Sequence, residues 1–224
     1  MILIVNNSEK IIEQVSWTKK IKNIIDTLNP DENALIVNEN DEMNKIIQEN
    51  KLRIKGVILG GSELRINNKQ CLDKILDNIL PLLELQVPVL GVCFGHQVIA
   101  KTYQSKISSF SQIVQGHKNI RFLQDPLFYN VEPEAYMYNA HFDYVESIPL
   151  FFNIIARDRN GIIYGMKHIY KPLYGIQFHP EFGKYGNGLQ IYKNFLKICG
   201  VTYLDVDYQD VPEVKHKNAN KFLD

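Results

Sequence analysis

The chain has 224 residues, of which 45% are hydrophobic and 22% are charged. This is enough apolar material for the core of one large α/β domain, and it is unlike the composition of a disordered chain. Lys and Arg together number 25, as do Asp and Glu, so the formal net charge is +0. That balance argues against a nucleic-acid-binding protein that relies on bulk positive charge.

The three cysteines, Cys71, Cys93 and Cys199, are far apart in the chain. An odd, widely spaced set favours neither a disulfide framework nor a metal-binding cluster, and it fits a reducing compartment. The sequence has no apolar run of 18 residues, and its first residues lack the pattern of a signal peptide. We therefore expect a cytoplasmic protein with no metal site, no nucleic-acid partner and no membrane partner.

The first 100 residues alternate short apolar runs with longer amphipathic stretches. The predicted strands are Ile2–Val5, Ala34–Val37, Gly56–Leu59 and Val87–Val92. The predicted helices are one that Ser8 caps and Asn29-Pro30 ends, one that Asp41 caps, one over Leu72–Leu85 with a kink or break at Pro81, and one over Gly95–Tyr103. This rhythm predicts βαβ units and a doubly wound, mostly parallel α/β sheet.

From Ser105 onward the rhythm changes to strand-like runs separated by turn residues. These runs are Ile107–Val114, Ile120–Leu123, Ala135–Asn139, Phe151–Arg157, Ile162–Ile169 and Tyr174–Phe178. They predict a small antiparallel extension of the same sheet, followed by a closing helix over Gly186–Cys199. We assign residues 1–199 to one domain and residues 200–224 to a polar C-terminal tail of unknown role, lying on the surface or partly mobile.

The most informative motif is at residues 89–97, Val-Leu-Gly-Val-Cys-Phe-Gly-His-Gln. A buried strand leads into Gly-x-Cys-x-Gly and then a helix, which is the geometry of a nucleophile elbow with cysteine as the nucleophile. Gly91 and Gly95 leave room for neighbouring backbone, and the helix N-terminus favours the thiolate of Cys93. The amide of Phe94 points the same way and could bind an oxyanion. The motif alone leaves open that Cys93 is a small buried hydrophobic residue.

A second motif ends the last predicted strand, where residues 177–181 read Gln-Phe-His-Pro-Glu. In an extended segment, His179 and Glu181 project to the same side. A thiol needs a base, and the base needs a carboxylate that orients it, so one short segment could supply both. An isolated His-x-Glu is also typical of a solvated surface pair.

A third motif is the Gly60-Gly61 turn after the third predicted strand, which could present a second oxyanion donor at Gly61. Alone it is equally typical of an ordinary tight turn. Taken in order and spacing, the three motifs resemble those of class I (triad-type) glutamine amidotransferases over roughly residues 1–199. The resemblance implies a flavodoxin-like fold.

The resemblance also implies a role for each motif residue. Cys93 would be the nucleophile, His179 the base and Glu181 the residue that orients the imidazole. The amides of Gly61 and Phe94 would form the oxyanion hole. Gln97 on the elbow helix would help to bind the substrate glutamine, and no cofactor would be required. His96 on the same helix is expected to pack or to hydrogen-bond locally.

Within that family, residues 139–145 resemble the His-Gly-Asp segment of the glutaminase part of GMP synthase. The match implies that His141 and Asp143 lie near the glutamine and near the route to a partner. An ordinary His at the end of a strand followed by an Asp in a turn is the alternative. Two positions depart from the family pattern: Phe142 replaces the glycine of this segment, and Ser62 replaces the proline that commonly follows the Gly-Gly pair.

The sequence contains no G-x-x-x-x-G-K-[ST] phosphate-binding loop. We therefore expect a glutaminase that hydrolyses glutamine through a Cys93 thioester and supplies ammonia to a separate ATP-dependent synthetase, of the GMP-synthase type. One alternative is a stand-alone hydrolase of γ-glutamyl amides or peptides with the same triad. Another is a catalytically silent regulatory module on the same fold.

Overall fold

The computed structural model describes residues 1–8, 16–32, 34–38, 41–67, 69–183 and 187–214. The N-terminal half contains β1 (Ile2–Asn6), α1 (Ser16–Leu28), β2 (Leu35–Asn38), α2 (Met43–Asn50), β3 (Gly56–Leu59), α3 (Lys69–Leu83), β4 (Val89–Val92) and α4 (Phe94–Thr102). The C-terminal half contains β5 (Ile107–Phe122), β6 (Glu134–Val145), β7 (Phe152–Arg157), β8 (Ile163–His168), β9 (Leu173–Ile176) and α5 (Gly188–Ile198).

All nine strands belong to one sheet, in the order β2-β1-β3-β4-β9-β8-β7-β5-β6. The first five of these run parallel, and their order is that of a flavodoxin-like doubly wound sheet. The carboxyl ends of β3, β4 and β9 consequently meet at one edge, where such sheets bind their ligands. The predicted doubly wound, mostly parallel sheet is confirmed.

Helices cover both faces of the parallel strands. Along β1, Ile2 and Ile4 join a core cluster with residues of α1 and α5. The alternate residues Leu3 and Val5 join a second cluster with residues of α2, α3 and α4. Because successive side chains of a strand point to opposite faces, a strand buried on both faces must be apolar throughout.

The antiparallel part of the sheet is larger than expected, since it comprises β8, β7, β5 and β6. The two predicted strands between Ile107 and Leu123 are one 16-residue strand, β5, whose register against β6 shifts between Ser109 and Val114. That bulge absorbs the residues that read as a turn. β6 also reaches back across the sheet, because Tyr138 forms an isolated antiparallel bridge with His179.

Three local predictions need correction or restriction. The carboxylate of Asp41 accepts a hydrogen bond from the Asn38 amide and does not cap α2, whose N-cap residue Glu42 makes no side-chain capping bond. Pro81 does not break α3, which continues to Leu83. The predicted helix after Ser8 is observed from Ser16, and its earlier part lies outside the described residues.

No helix in the part of the chain that the structure describes is long and apolar enough to cross a membrane. The residues after α5 follow the surface of the domain, where Val201, Tyr203, Val206 and Val211 pack against the core. The Leu204 amide donates a hydrogen bond to the Leu28 carbonyl at 2.7 Å. We call residues 201–214 the C-terminal segment.

Helix α4 approaches β3 so closely that Gly95 has no room for a side chain. A Cβ atom at Gly95 would lie 2.3 Å from the Leu59 carbonyl oxygen, which belongs to the backbone of a buried strand. Neither partner can move away without disturbing the sheet. The second glycine of the Gly-x-Cys-x-Gly motif is therefore a packing requirement.

We expect Gly95→Ala to lower the free energy of unfolding by about 1–3 kcal/mol, because the added methyl group forces backbone apart in a packed core. Denaturant titration with circular dichroism measures this change. Lys101→Ala in the same helix is the control and should leave the free energy of unfolding within about 0.5 kcal/mol of the wild type. Equal stabilities of the Gly95→Ala and Lys101→Ala variants would contradict the packing argument.

Candidate active site

Cys93 occupies the sharp turn between β4 and α4. Its backbone has φ +53° and ψ −101°, a conformation that costs energy for a residue with a side chain and that is typical of functional sites. The Cys93 amide donates a hydrogen bond to the Ile176 carbonyl at 2.8 Å, which ties the turn to β9. A Cβ atom on Gly91 would lie 2.5 Å from backbone atoms of Gly95. The residues therefore form the strained elbow that the motif predicts.

His179 and Glu181 follow β9 at the same edge of the sheet. His179 is still extended, whereas Glu181 lies in a 3₁₀ turn over Pro180–Phe182, so this segment is not extended throughout as the sequence suggested. The turn brings Glu181 Oε1 to 2.7 Å from His179 Nδ1. The exposed fractions of His179 and Glu181 are only 5% and 0%, which rules out a solvated surface pair.

The charges around His179 favour its protonated form. Burial by itself would lower the pKa of His179, but the Glu181 carboxylate and the hydrogen-bonded Cys93 sulfur raise it to about 10. The imidazole therefore carries a proton at neutral pH. A protonated imidazole beside a cysteine sulfur is the arrangement that stabilises a thiolate nucleophile.

The Gly60-Gly61 turn also reaches this site. A Cβ atom on Gly61 would lie 3.0 Å from Cε1 of His179, so only a glycine lets the turn lie against the imidazole edge. The indole of Trp17 donates a hydrogen bond to the Gly61 carbonyl at 3.1 Å, which orients the following peptide. Phe94 is the first residue of α4. The structure thus brings both predicted oxyanion donors to the elbow, and their role stays a prediction.

Gln97 lies one turn along α4 and is buried. Its side-chain amide donates to the Asp143 carbonyl at 2.7 Å and to the Gln177 side-chain oxygen at 3.2 Å. Gln177 in turn directs its Nε2 toward the Cys93 sulfur at 3.7 Å. Gln97 is therefore one residue removed from the nucleophile, and its contact with substrate remains a prediction.

His141 and Asp143 lie within β6, so they are not an ordinary strand end and turn. The main chain of this strand closes the site, because the Ala140 carbonyl lies 3.9 Å from the Cys93 sulfur. His141 Nδ1 lies 3.0 Å from the Asp143 carbonyl oxygen. Burial lowers the pKa of His141 to about 4, so it is neutral at neutral pH.

The carboxylate of Asp143 is already occupied. Arg65 binds both of its oxygens, with Nη2 to Oδ1 at 2.6 Å and Nε to Oδ2 at 2.9 Å, and Ser109 donates to it at 2.6 Å. Burial would raise the pKa of Asp143, but these hydrogen bonds lower it below its usual value. Asp143 therefore joins the loop after β3 to β5 and β6, and its contact with substrate stays a prediction.

His96 is fully buried in α4. Burial lowers its pKa to about 3, so this imidazole is neutral and does not compete with His179 for the role of base. A Cβ atom on Gly175 would lie 2.6 Å from His96 Nδ1, which shows how tightly the ring packs against β9. The expectation that His96 packs locally is confirmed.

Sequence reasoning missed three residues of the site. Gln177 could have been found from strand alternation, since it lies two residues before His179 and so points to the same side. Trp17 and Tyr192 offered no such signal, because each comes from a helix that reads as ordinary amphipathic packing. The Tyr192 hydroxyl donates to Glu181 Oε2 at 3.1 Å.

With this geometry established, comparisons with known proteins assign the chain to a family. The family model for glutamine amidotransferase class-I matches residues 16–199. The chain belongs to this family of cysteine-dependent glutamine-hydrolysing enzymes, which confirms the resemblance expected from its motifs. Among solved structures, a glutamine amidotransferase from Thermotoga maritima has a TM-score of 0.65 at 15% identity and covers 88% of this chain and 80% of that one.

The more specific similarity is to the glutamine-hydrolysing subunits of GMP synthases. Such a subunit from Methanococcus aeolicus is 35% identical over 202 residues, covering 90% of this chain and 98% of the relative. The one from Methanocaldococcus jannaschii is 30% identical over 204 residues, covering 91% and 100%. A crystal structure of a GMP synthase subunit from Thermoplasma acidophilum has a TM-score of 0.72 at 22% identity, covering 89% of this chain and 93% of that chain.

Replacing Glu181 by Gln should lower the pKa of His179 well below its value of about 10 in the wild type, because the substitution removes the negative charge that holds the proton. The protonated imidazole would then be lost at a lower pH. Titration of ¹⁵N-histidine-labelled protein by NMR measures the change. Glu146→Gln, which alters an exposed ion pair with Lys106, is the control. A His179 titration that Glu181→Gln leaves unchanged would contradict the assigned charge state.

Proposed function

We propose that this chain is the glutamine-hydrolysing subunit of a two-subunit GMP synthase, with Cys93, His179 and Glu181 as its catalytic triad. The observation that carries the proposal is the 2.7 Å bond between His179 and Glu181 beside the strained Cys93 elbow. Membership of the glutamine amidotransferases and the similarity to subunits of GMP synthases support the choice of substrate.

The reaction begins when the Cys93 thiolate attacks the side-chain amide carbon of glutamine. The carbonyl oxygen takes up negative charge, which the amides of Gly61 and Phe94 stabilise. One such donor contributes about 3–4 kcal/mol to lowering the barrier. His179 gives its proton to the nitrogen, the carbon–nitrogen bond breaks, and ammonia leaves a γ-glutamyl thioester on Cys93.

The second half of the reaction frees the enzyme. His179, now neutral, takes a proton from a water molecule as that water attacks the thioester carbon. The carbon–sulfur bond breaks, glutamate leaves, and Cys93 returns to the thiolate beside a protonated His179. Glu181 holds the imidazole in one orientation through both steps, because its carboxylate accepts the Nδ1 hydrogen bond.

The ammonia released requires an acceptor on another chain. The described part of this chain is fully used by one sheet, its flanking helices and the C-terminal segment. We therefore propose that a separate ATP-dependent synthetase receives the ammonia. His141 and Asp143 are placed to shape the site next to the elbow, since β6 carries both residues past the nucleophile.

Purified protein given glutamine should release glutamate and ammonia in equal amounts. Cys93→Ala should reduce this activity by about four orders of magnitude, because no thioester can form. Coupled glutamate detection measures the rate. Cys199→Ala, which removes the other described free thiol at the end of α5, should retain wild-type activity. Equal activity in the Cys93→Ala variant and the wild type would contradict the nucleophile assignment.

The partner is tested with glutamine that carries ¹⁵N in its side-chain amide. Incubated with ATP, the nucleotide acceptor and the synthetase component of a GMP synthase, the chain should yield GMP that contains the label. Free ammonium chloride in place of glutamine should support GMP formation without this chain. Rapid hydrolysis of other γ-glutamyl compounds without any partner, combined with unlabelled GMP, would favour a stand-alone hydrolase.

A further inference from the structure

Two tyrosines contact Glu181 from outside the three catalytic residues. The Tyr192 hydroxyl, which is fully buried in α5, donates to Glu181 Oε2 at 3.1 Å. The Tyr208 hydroxyl donates to the main-chain carbonyl of Glu181 at 3.1 Å. One residue thus fixes the carboxylate and the other fixes the backbone that carries it.

Tyr208 comes from a part of the chain that the family match does not include. The match ends at residue 199, whereas Tyr208 lies in the C-terminal segment. Its hydroxyl also accepts a hydrogen bond from Lys20 of α1 at 3.2 Å, and the Lys20 ammonium lies 4.7 Å from the centre of the Phe182 ring. The turn after His179 is therefore attached to both α1 and the C-terminal segment.

Further contacts attach this segment to the domain on either side of Tyr208. Lys193 Nζ lies 2.6 Å from an Asp205 carboxylate oxygen, and the Asn23 side chain donates to the Pro212 carbonyl at 3.1 Å. Together with the bond between Leu204 and Leu28, these contacts hold the backbone around Tyr208 against α1 and α5. The Tyr208 hydroxyl consequently has a defined position from which to donate.

We propose that Tyr192 and Tyr208 are positioning residues that hold Glu181 in the orientation His179 requires, and that this gives the C-terminal segment a role in catalysis. The proposal rests on the proposed function, because it assigns Glu181 to the triad. A carboxylate with one oxygen bound to an imidazole can still rotate about its last bonds, and a donor on the second oxygen removes that freedom. Tyr192 supplies that donor from a fully buried position.

The test removes one oxygen atom at a time. Tyr192→Phe should lower kcat for glutamine hydrolysis by about three- to tenfold with KM unchanged, because the lost bond orients the base and does not touch glutamine. Tyr208→Phe should lower kcat by about two- to threefold, since its hydroxyl holds main chain rather than the carboxylate. Tyr203→Phe, in the same segment and packed on the core, is the matched control and should leave kcat unchanged.

A role confined to stability is distinguished by NMR. The Nδ1 resonance of ¹⁵N-labelled His179 should shift in Tyr192→Phe and in Tyr208→Phe but not in Tyr203→Phe. A wild-type kcat in both test variants, or a kcat loss matched by the loss of folded protein with no shift at His179, would overturn the proposal. Failure of the wild type to hydrolyse glutamine would count against the proposed function alone, because the NMR measurement needs no turnover.

Discussion

The site depends on one buried hydrogen bond between a carboxylate and an imidazole. Removing a carboxylate from water is costly unless a partner of opposite charge and further hydrogen bonds replace the lost solvent. Here His179 satisfies one oxygen of Glu181 and Tyr192 satisfies the other. The same bond keeps the imidazole charged, and a charged imidazole is what turns a neighbouring cysteine into a thiolate. Burial, orientation and nucleophilicity thus share one physical cause.

The parallel sheet delivers the three parts of this site from distant stretches of sequence. β3, β4 and β9 end at the same edge, where they carry the Gly-Gly turn, the cysteine elbow and the histidine. The elbow is strained, and the strain persists because α4 is locked against β3 through Gly95. The antiparallel strands add the remaining wall, since β6 passes over the nucleophile with its backbone. Rigid elements hold the reacting groups, as catalysis by positioning requires.

Much of this could be predicted from the sequence. The apolar runs at residues 2–5 and 56–59 had to be strands buried on two faces, and the glycines around Cys93 indicated a turn with no space for side chains. The length of β6 could not be predicted, because residues 140–145 alternate with polar side chains that bind other parts of the site. Tyr192 and Tyr208 were equally hidden. Their contacts depend on how α5 and the C-terminal segment pack, and local patterns carry no record of such long-range contacts.

The position of β9 has a consequence for how the protein is made. This strand is the last of the nine to be synthesised, yet it lies in the middle of the sheet between β4 and β8. Until it emerges from the ribosome, both of those neighbours present unpaired edges, which are the surfaces through which nascent chains aggregate. The contact between Gln177 and Cys93 joins residues 84 positions apart, so a truncated chain would contain the reactive sulfur but no base. Completion of the sheet and the onset of chemistry are therefore the same late folding event.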